Sequence, residues 1–165
     1  MDTTSENFKK LYRMIRDIKF TMLTTVSSDG SIHSRPMLPQ DFNKVEFDGT
    51  LWFFSQKNSL KNHAIENDQH VNLTFTNQEN KNYVSISGRA TISEDKDLMK
   101  RLWNPVLNNW FPQGLDDPKL SLIGVNVDAA EVWDSPSGEM IQLTGLGGPG
   151  MPLPGKKPGE ASINQ

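Results

Sequence analysis

The sequence predicts a mainly β domain of the α+β class: a small antiparallel barrel with short helices around it. Several short runs are rich in apolar, Thr and aromatic residues, and some alternate strictly. Tight-turn signals separate them, and no strand–helix–strand alternation is sustained, as a parallel sheet would require. The 165 residues suit one domain. We expect that domain to span residues 1–143, followed by a Gly/Pro-rich tail over 144–165.

The first element reads as a helix, because Phe8, Leu11, Met14, Ile15 and Ile18 share one face. Thr3, with Glu6 three residues on, fits a capping box. Phe20 to Ser27 reads as a strand, and Ser28-Asp29-Gly30 turns the chain. Ser31 to Gln40 is a second strand. It holds Pro36 and Pro39, which cannot donate to a ladder, so it sits at a sheet edge or faces something other than a neighbouring strand. Asp48-Gly49 turns into the apolar strand Leu51 to Ser55, and Asn58 or Ser59 caps a short helix to about Asn67. Val71 to Thr76 and Tyr83 to Ile92 alternate as strands, and Gly88 within the second marks a bulge or barrel bend. Ser93 or Asp95 caps a helix with Leu98, Met99, Leu102 and Trp103 on one face. Asn104 to Pro118 is irregular, and Leu120 to Val127 and Ala130 to Asp134 read as the last two strands. From Gly145 to Gly159, six of fifteen residues are Gly and four are Pro, and none of the fourteen aromatics lies beyond Trp133.

Composition narrows the function. The net charge of -3 argues against a duplex nucleic-acid binder, which needs a basic face. The chain lacks Cys, so thiolate chemistry and Cys-based metal sites are excluded, and the three His show no ligand spacing. No apolar run approaches the ~20 residues that span a bilayer, and the N-terminus is polar. A cytoplasmic protein with no membrane partner is expected. Gly145-Leu146-Gly147-Gly148-Pro149-Gly150 matches a dinucleotide fingerprint in letters only, because Pro152 and Pro154 block the helix that must follow.

The informative stretch runs from Arg35 to Lys61. A strand ends at Ser55, and a helix capped at Ser59 then carries Lys61 in its first turn. Such a turn presents free amides and the positive end of a helix to an anion. With Ser55, Ser59 and Arg35, Lys61 would complete a phosphate cradle. The same residues also serve as a plain cap and two solvated charges, which is the commoner use of such residue types.

Order and spacing point further. Thr24-Thr25-Val26, Asp29-Gly30, Ser34-Arg35-Pro36-Met37 and Gly49-Thr50-Leu51-Trp52-Phe53-Phe54-Ser55, with Ser59 and Lys61, resemble the flavin-binding split barrels related to pyridoxamine 5′-phosphate oxidase. Val71-Asn72-Leu73, Tyr83 to Ala90, Leu102-Trp103-Asn104-Pro105, Trp110 to Gly114 and Ala130 to Asp134 resemble the general-stress-protein branch. The resemblance covers roughly Phe8 to Asp134.

It implies an antiparallel split barrel of six to seven strands that forms a homodimer and holds FMN, or FAD, in clefts between subunits. It implies that Arg35, Pro36, Met37 and Gln40 lie along the flavin ring and that Ser55 and Lys61 hold the phosphate. Phe53, Phe54, Ser59 and Trp110 join the cofactor set, and Tyr83 stands where the oxidases have a flavin-contacting glutamine. No catalytic residue is assigned, and no metal is expected. The oxidases carry Arg-Lys where this chain has Leu60-Lys61, a Lys where it has Gln40, and a closing Trp-, Arg- and His-bearing segment that it lacks. Oxidation of pyridoxamine phosphate is therefore not expected. The function implied is a flavin-dependent oxidoreductase of the general stress type. The alternatives are a flavin reservoir or stress sensor without turnover, or a relative holding a deazaflavin, haem or nucleotide. We further expect the apolar Leu51–Phe54 strand, with Trp110 and Phe111, to exceed what one small barrel can bury.

Overall fold

The computed structural model describes residues 3–40, 48–134 and 139–144. Helix α1 (Thr3–Ile15) buries Leu11 and Ile15 completely or nearly so, with Met14 and Ile18 against the same core. The Phe8 side chain and the Thr3 cap lie outside the described set, and Glu6 pairs with Lys9 at 3.2 Å. Strands β1 (Thr21–Val26) and β2 (Ile32–Met37) form a hairpin closed by Gly30 at φ 83°. A three-residue loop with glycine in the left-handed region matches the twist of its flanking strands. Then come β3 (Thr50–Gln56), α2 (Leu60–Asn67), β4 (His70–Asn77), β5 (Asn82–Ser93) and α3 (Lys96–Leu102). Two 3-10 turns, Pro105–Asn109 and Gly114–Asp116, precede β6 (Leu120–Asp134) and β7 (Glu139–Thr144).

The strands form one seven-stranded antiparallel sheet in the order β2-β1-β4-β5-β6-β3, with β7 also pairing β6. β2 lies at one edge, where its proline leaves no ladder bond unmade. The sheet curls until its edges approach. The Gln40 amide, just beyond β2, donates to the Trp52 carbonyl of β3 at 3.0 Å. Among the described residues β2 and β3 share no ladder, which makes the barrel a split one.

The structure departs from the sequence reading at β6. Its 15 residues form a single strand rather than two. Ser87 pairs with Ala129 and Gly88 with Val127, so Asp128 is the extra residue of a bulge. The polar break in the sequence there is a bend, not a turn. It divides one edge of β6 between two partners: β3 pairs residues 120–126 and β7 pairs residues 129–134. Arg89 grips the bulged Asp128 with two bonds of 3.0 and 3.1 Å. β7 was not expected at all. The Gly/Pro-rich segment from 145 onward, with its fingerprint-like glycines, lies outside the described residues.

Two apolar cores result. The barrel interior holds Leu23, Phe53, Leu73, Phe75, Ile86, Val125 and Val132 under α1 and α2. A second core, between the sheet and α3 with the 3-10 turns, holds Phe54, Met99, Leu102, Leu107, Phe111, Leu120 and Leu122. Phe54 meets Trp103 edge to face at 5.3 Å. The chain thus buries Leu51, Phe53, Phe54 and Phe111 by itself, which corrects the expectation for these residues, whereas Trp110 stays half exposed. Among the described residues, no helix is long and apolar enough to cross a membrane.

Candidate functional site

Alternation along β3 sets the site. Phe53 points into the barrel core, while Phe54 and Ser55 end the strand where the barrel is split. Ser59 then caps α2 in an extended conformation, and its hydroxyl accepts from the Asn62 amide at 3.3 Å. Below this junction lies a fully buried polar knot. The Ser55 hydroxyl donates to Asn62 Oδ1 at 2.6 Å, and Asn62 Nδ2 donates to Ser121 Oγ at 3.0 Å. Ser121 Oγ in turn donates to the Ser55 carbonyl at 3.1 Å. Each of these buried side chains has its bonds met, and that pins the strand end to the helix start.

Above the knot is a cleft of about 460 Å³, lined by Pro36, Met37, Leu38, Gln40, Phe54, Ser55, Lys61, Trp110, Phe111 and neighbours. Small-molecule sites run roughly 300–1,000 Å³ and combine apolar walls with a few polar groups. Here apolar side chains form the walls, with Ser55 and Lys61 at one end and the Gln40 amide toward the other. No carboxylate or imidazole is among the described residues that line it.

Arg35 reaches inward from β2, donating to the Leu23 carbonyl at 3.2 Å and to Thr25 Oγ1 at 2.7 Å. Burial lowers its pKa. Burial also pulls the Lys61 ammonium below the ordinary lysine value, and the charge of Arg35 pulls it further. Among the described residues neither cation has a carboxylate partner. Two cations close enough to repel, both partly withdrawn from water and one of them in the first turn of a helix, favour an anion.

The structure therefore brings Pro36, Met37, Gln40, Phe54, Ser55, Lys61 and Trp110 into one cleft, with Arg35 and Ser59 beside it. It does not bring Phe53, whose side chain is wholly buried in the barrel, or Tyr83, which stands on the outer face of β5. Sequence reasoning missed Asn62 and Ser121. Their only sequence signal was an Asn in a helix's first turn, a poor helix former in itself.

The family model described as pyridoxamine 5′-phosphate oxidase like matches residues 6–146. The chain belongs to that family. Its relatives place it in the general-stress-protein branch. It is 28% identical to general stress protein 26 of Bacillus subtilis over 121 residues, 71% of this chain and 81% of that one. It is 32% identical to protein bli-3 of Neurospora crassa over 121 residues, 68% of this chain. The chain spans only 57% of bli-3, little more than half. Among solved structures, general stress protein 26 of Bacillus anthracis superposes with a TM-score of 0.66 at 26% identity, over 87% of this chain and all of that one. The general stress FMN/FAD binding protein of Xanthomonas citri superposes equally, at 0.66 and 29% identity, over 86% of this chain and 96% of that one. The split barrel described above is this family's flavin-binding fold.

Proposed function

We propose that this chain binds FMN in the cleft between β2, β3 and α2, with the phosphate at Lys61 and the ring toward Gln40. One observation carries the reading: Lys61 lines one end of an apolar cleft and feels the charge of Arg35 behind it, and neither cation has a carboxylate partner among the described residues. The residues fit the group. The first turn of α2, Lys61 and the Ser55 and Ser59 hydroxyls suit a dianionic phosphate. Pro36, Met37, Leu38 and Trp110 suit a flat, largely apolar ring. Gln40 is hydrogen-bonded to Trp52, three residues from Ser55 on β3, which is about 10 Å along a strand. That gives the cleft a long axis with a charged end and an amide end. The name of the Xanthomonas citri relative supports the ligand class.

When bound, a flavin supplies electron transfer, and the protein supplies its placement. Arg35, whose charge acts on Lys61, adds to the positive field at the phosphate end. Among the described residues Lys61 is the one ionisable side chain lining the cleft, and in this reading it is committed to the phosphate. The residues therefore support a flavin-dependent electron carrier or oxidoreductase without a protein acid or base. That same shortage favours, as second reading, a flavin-holding protein without turnover.

A homodimer completes the proposal. Met22, Thr24, Asn72, Thr74, Tyr83 and Ser85 share the outer face of β1, β4 and β5, and none is charged. The buried side chains of α1 and α2 belong to the inner core, so neither helix shields this face. Pro36 lines the cleft and pairs with Met22, so the cleft opens at the margin of the same face. A second copy packed there would carry its own Tyr83 toward the cleft. Calorimetric titration with FMN and riboflavin tests the ligand assignment. FMN should bind at least about tenfold more tightly, because riboflavin lacks the charge-assisted bonds. Equal affinities would remove the phosphate from this end of the cleft.

A further inference from the structure

Beside the flavin cleft lies a second hollow of about 600 Å³, which the cofactor reading leaves unused. It forms where the end of α1 and the following residues face the loop after β2 and the first 3-10 turn. Phe20, Leu38, Gln40 and Trp110 line both hollows, whereas Ser55 and Lys61 line only the first. The second hollow therefore opens at the end of the cleft away from the phosphate. Phe20 and Trp110 are 46% and 52% exposed, two large rings left in water at the shared rim. Tyr12 adds a third ring to the wall.

Charge narrows the occupant. Arg16 and Lys19 supply two cations, and Asp17 supplies one carboxylate, 3.7 Å from Arg16 Nε. Lys19 has no carboxylate within reach among the described residues, and its ammonium lies 5.7 Å from the centre of the Phe20 ring. Among the described residues the lining thus carries one net positive charge, without the helix N-terminus and the nearby Arg35 that reinforce Lys61 at the phosphate end of the cleft. One charge suits a monoanion rather than a phosphate dianion. Three aromatic rings suit a flat, unsaturated body. We propose that this hollow binds a small planar aromatic carboxylate against the Phe20–Trp110 rim, with the carboxylate between Arg16 and Lys19. It rests on the proposed flavin site for what lies next to the ligand, namely the ring end of the cofactor. The two hollows share Phe20, Leu38, Gln40 and Trp110, but the charged residues Arg16, Asp17 and Lys19 belong to the second alone.

The test is a calorimetric titration with 2-naphthoate, and with the neutral 2-naphthamide as control, on FMN-loaded and flavin-free protein. Both ligands are run on wild type and on the double variant R16Q/K19Q. Both of these side chains are exposed, so the variant is expected to fold. Naphthoate should bind wild type and lose roughly tenfold or more in affinity in the double variant, while naphthamide is unchanged. FMN affinity should stay within about twofold, since neither residue lines the flavin cleft. On loaded protein, naphthoate should also perturb the flavin absorption bands. Failure of FMN to bind would strike the cofactor reading, while charge-dependent naphthoate binding to flavin-free protein would still support the hollow. Absent naphthoate binding, or binding indifferent to the double variant, overturns this proposal whatever FMN does. So does naphthoate binding that leaves the flavin bands of loaded protein unmoved.

Discussion

At Lys61, burial and the Arg35 guanidinium both act against the ammonium, and the fold offers no carboxylate in return among its described residues. Its folded pKa lies below the ordinary value of 10.5, so the unfolded chain holds more protons between those two values. Stability of the flavin-free protein should therefore rise with pH across that alkaline window. FMN affinity should fall over the same window, as the ammonium that binds the phosphate is lost. In Lys61→Met both trends should be weaker. FMN affinity should drop about 10- to 150-fold, riboflavin affinity should barely change, and the flavin-free protein should melt no lower than wild type. A lower melting temperature would mean that Lys61 is structural. Asn62 is the opposite case. Truncation to Ala removes the acceptor of the Ser55 hydroxyl and the donor to the Ser121 hydroxyl in a fully buried knot, at a cost of about 1–3 kcal/mol readable in denaturant midpoints. The two positions stand side by side, yet only Lys61 was legible in the sequence. A cation after an N-cap advertises an anion site, whereas Asn62 acquires its role only when β6 brings Ser121 beside β3.

Strands and helices were legible where local chemistry decides them. Pro36 placed β2 at an edge, Ser59 marked the start of α2, and Gly88 marked the bulge. The continuity of β6 was not legible, because Asp128 reads as a turn residue and only the register with β5 shows it bulging within a strand. The role of Phe53 depends on which face of β3 is buried. Both its faces are apolar, because one covers the barrel and the other the α3 core. The bulge also separates two glycines that look alike in sequence. A Cβ on Gly88 would sit 2.3 Å from the Asn126 carbonyl oxygen, a backbone obstacle that cannot swing away. A Cβ on Gly124 would meet the outer atoms of the Trp52 ring at 2.7 Å, and that half-buried side chain can rotate. Gly88→Ala should therefore cost about 1–3 kcal/mol or more, and Gly124→Ala distinctly less. Equal losses in chemical unfolding would show that the Trp52 ring is as fixed as backbone.

On the scale of the molecule, the chain buries Leu51, Phe53 and Phe54 of β3 unaided, so association has to be sought on the outer face of β1, β4 and β5 around Met22, Thr74 and Tyr83 rather than on β3. Sedimentation at micromolar concentration should show twice the 18.6 kDa chain mass. Thr74→Lys, placing an ammonium at the middle of that face, should shift the protein to monomer with its fold intact. A wild-type monomer with flavin bound would reject the dimer while sparing the cleft. Membership in the family was legible because spaced motifs survive at low identity, and the same motifs set out the barrel. The occupant of the cleft rests instead on charges and walls that several elements bring together. It is tested most directly by the absorbance spectrum of the protein purified without added cofactor, with the released chromophore identified by chromatography. Paired flavin bands in the near ultraviolet and the blue, with FMN as the released species, are the expected result. A colourless protein that also fails to bind added FMN at micromolar concentration would contradict the assignment.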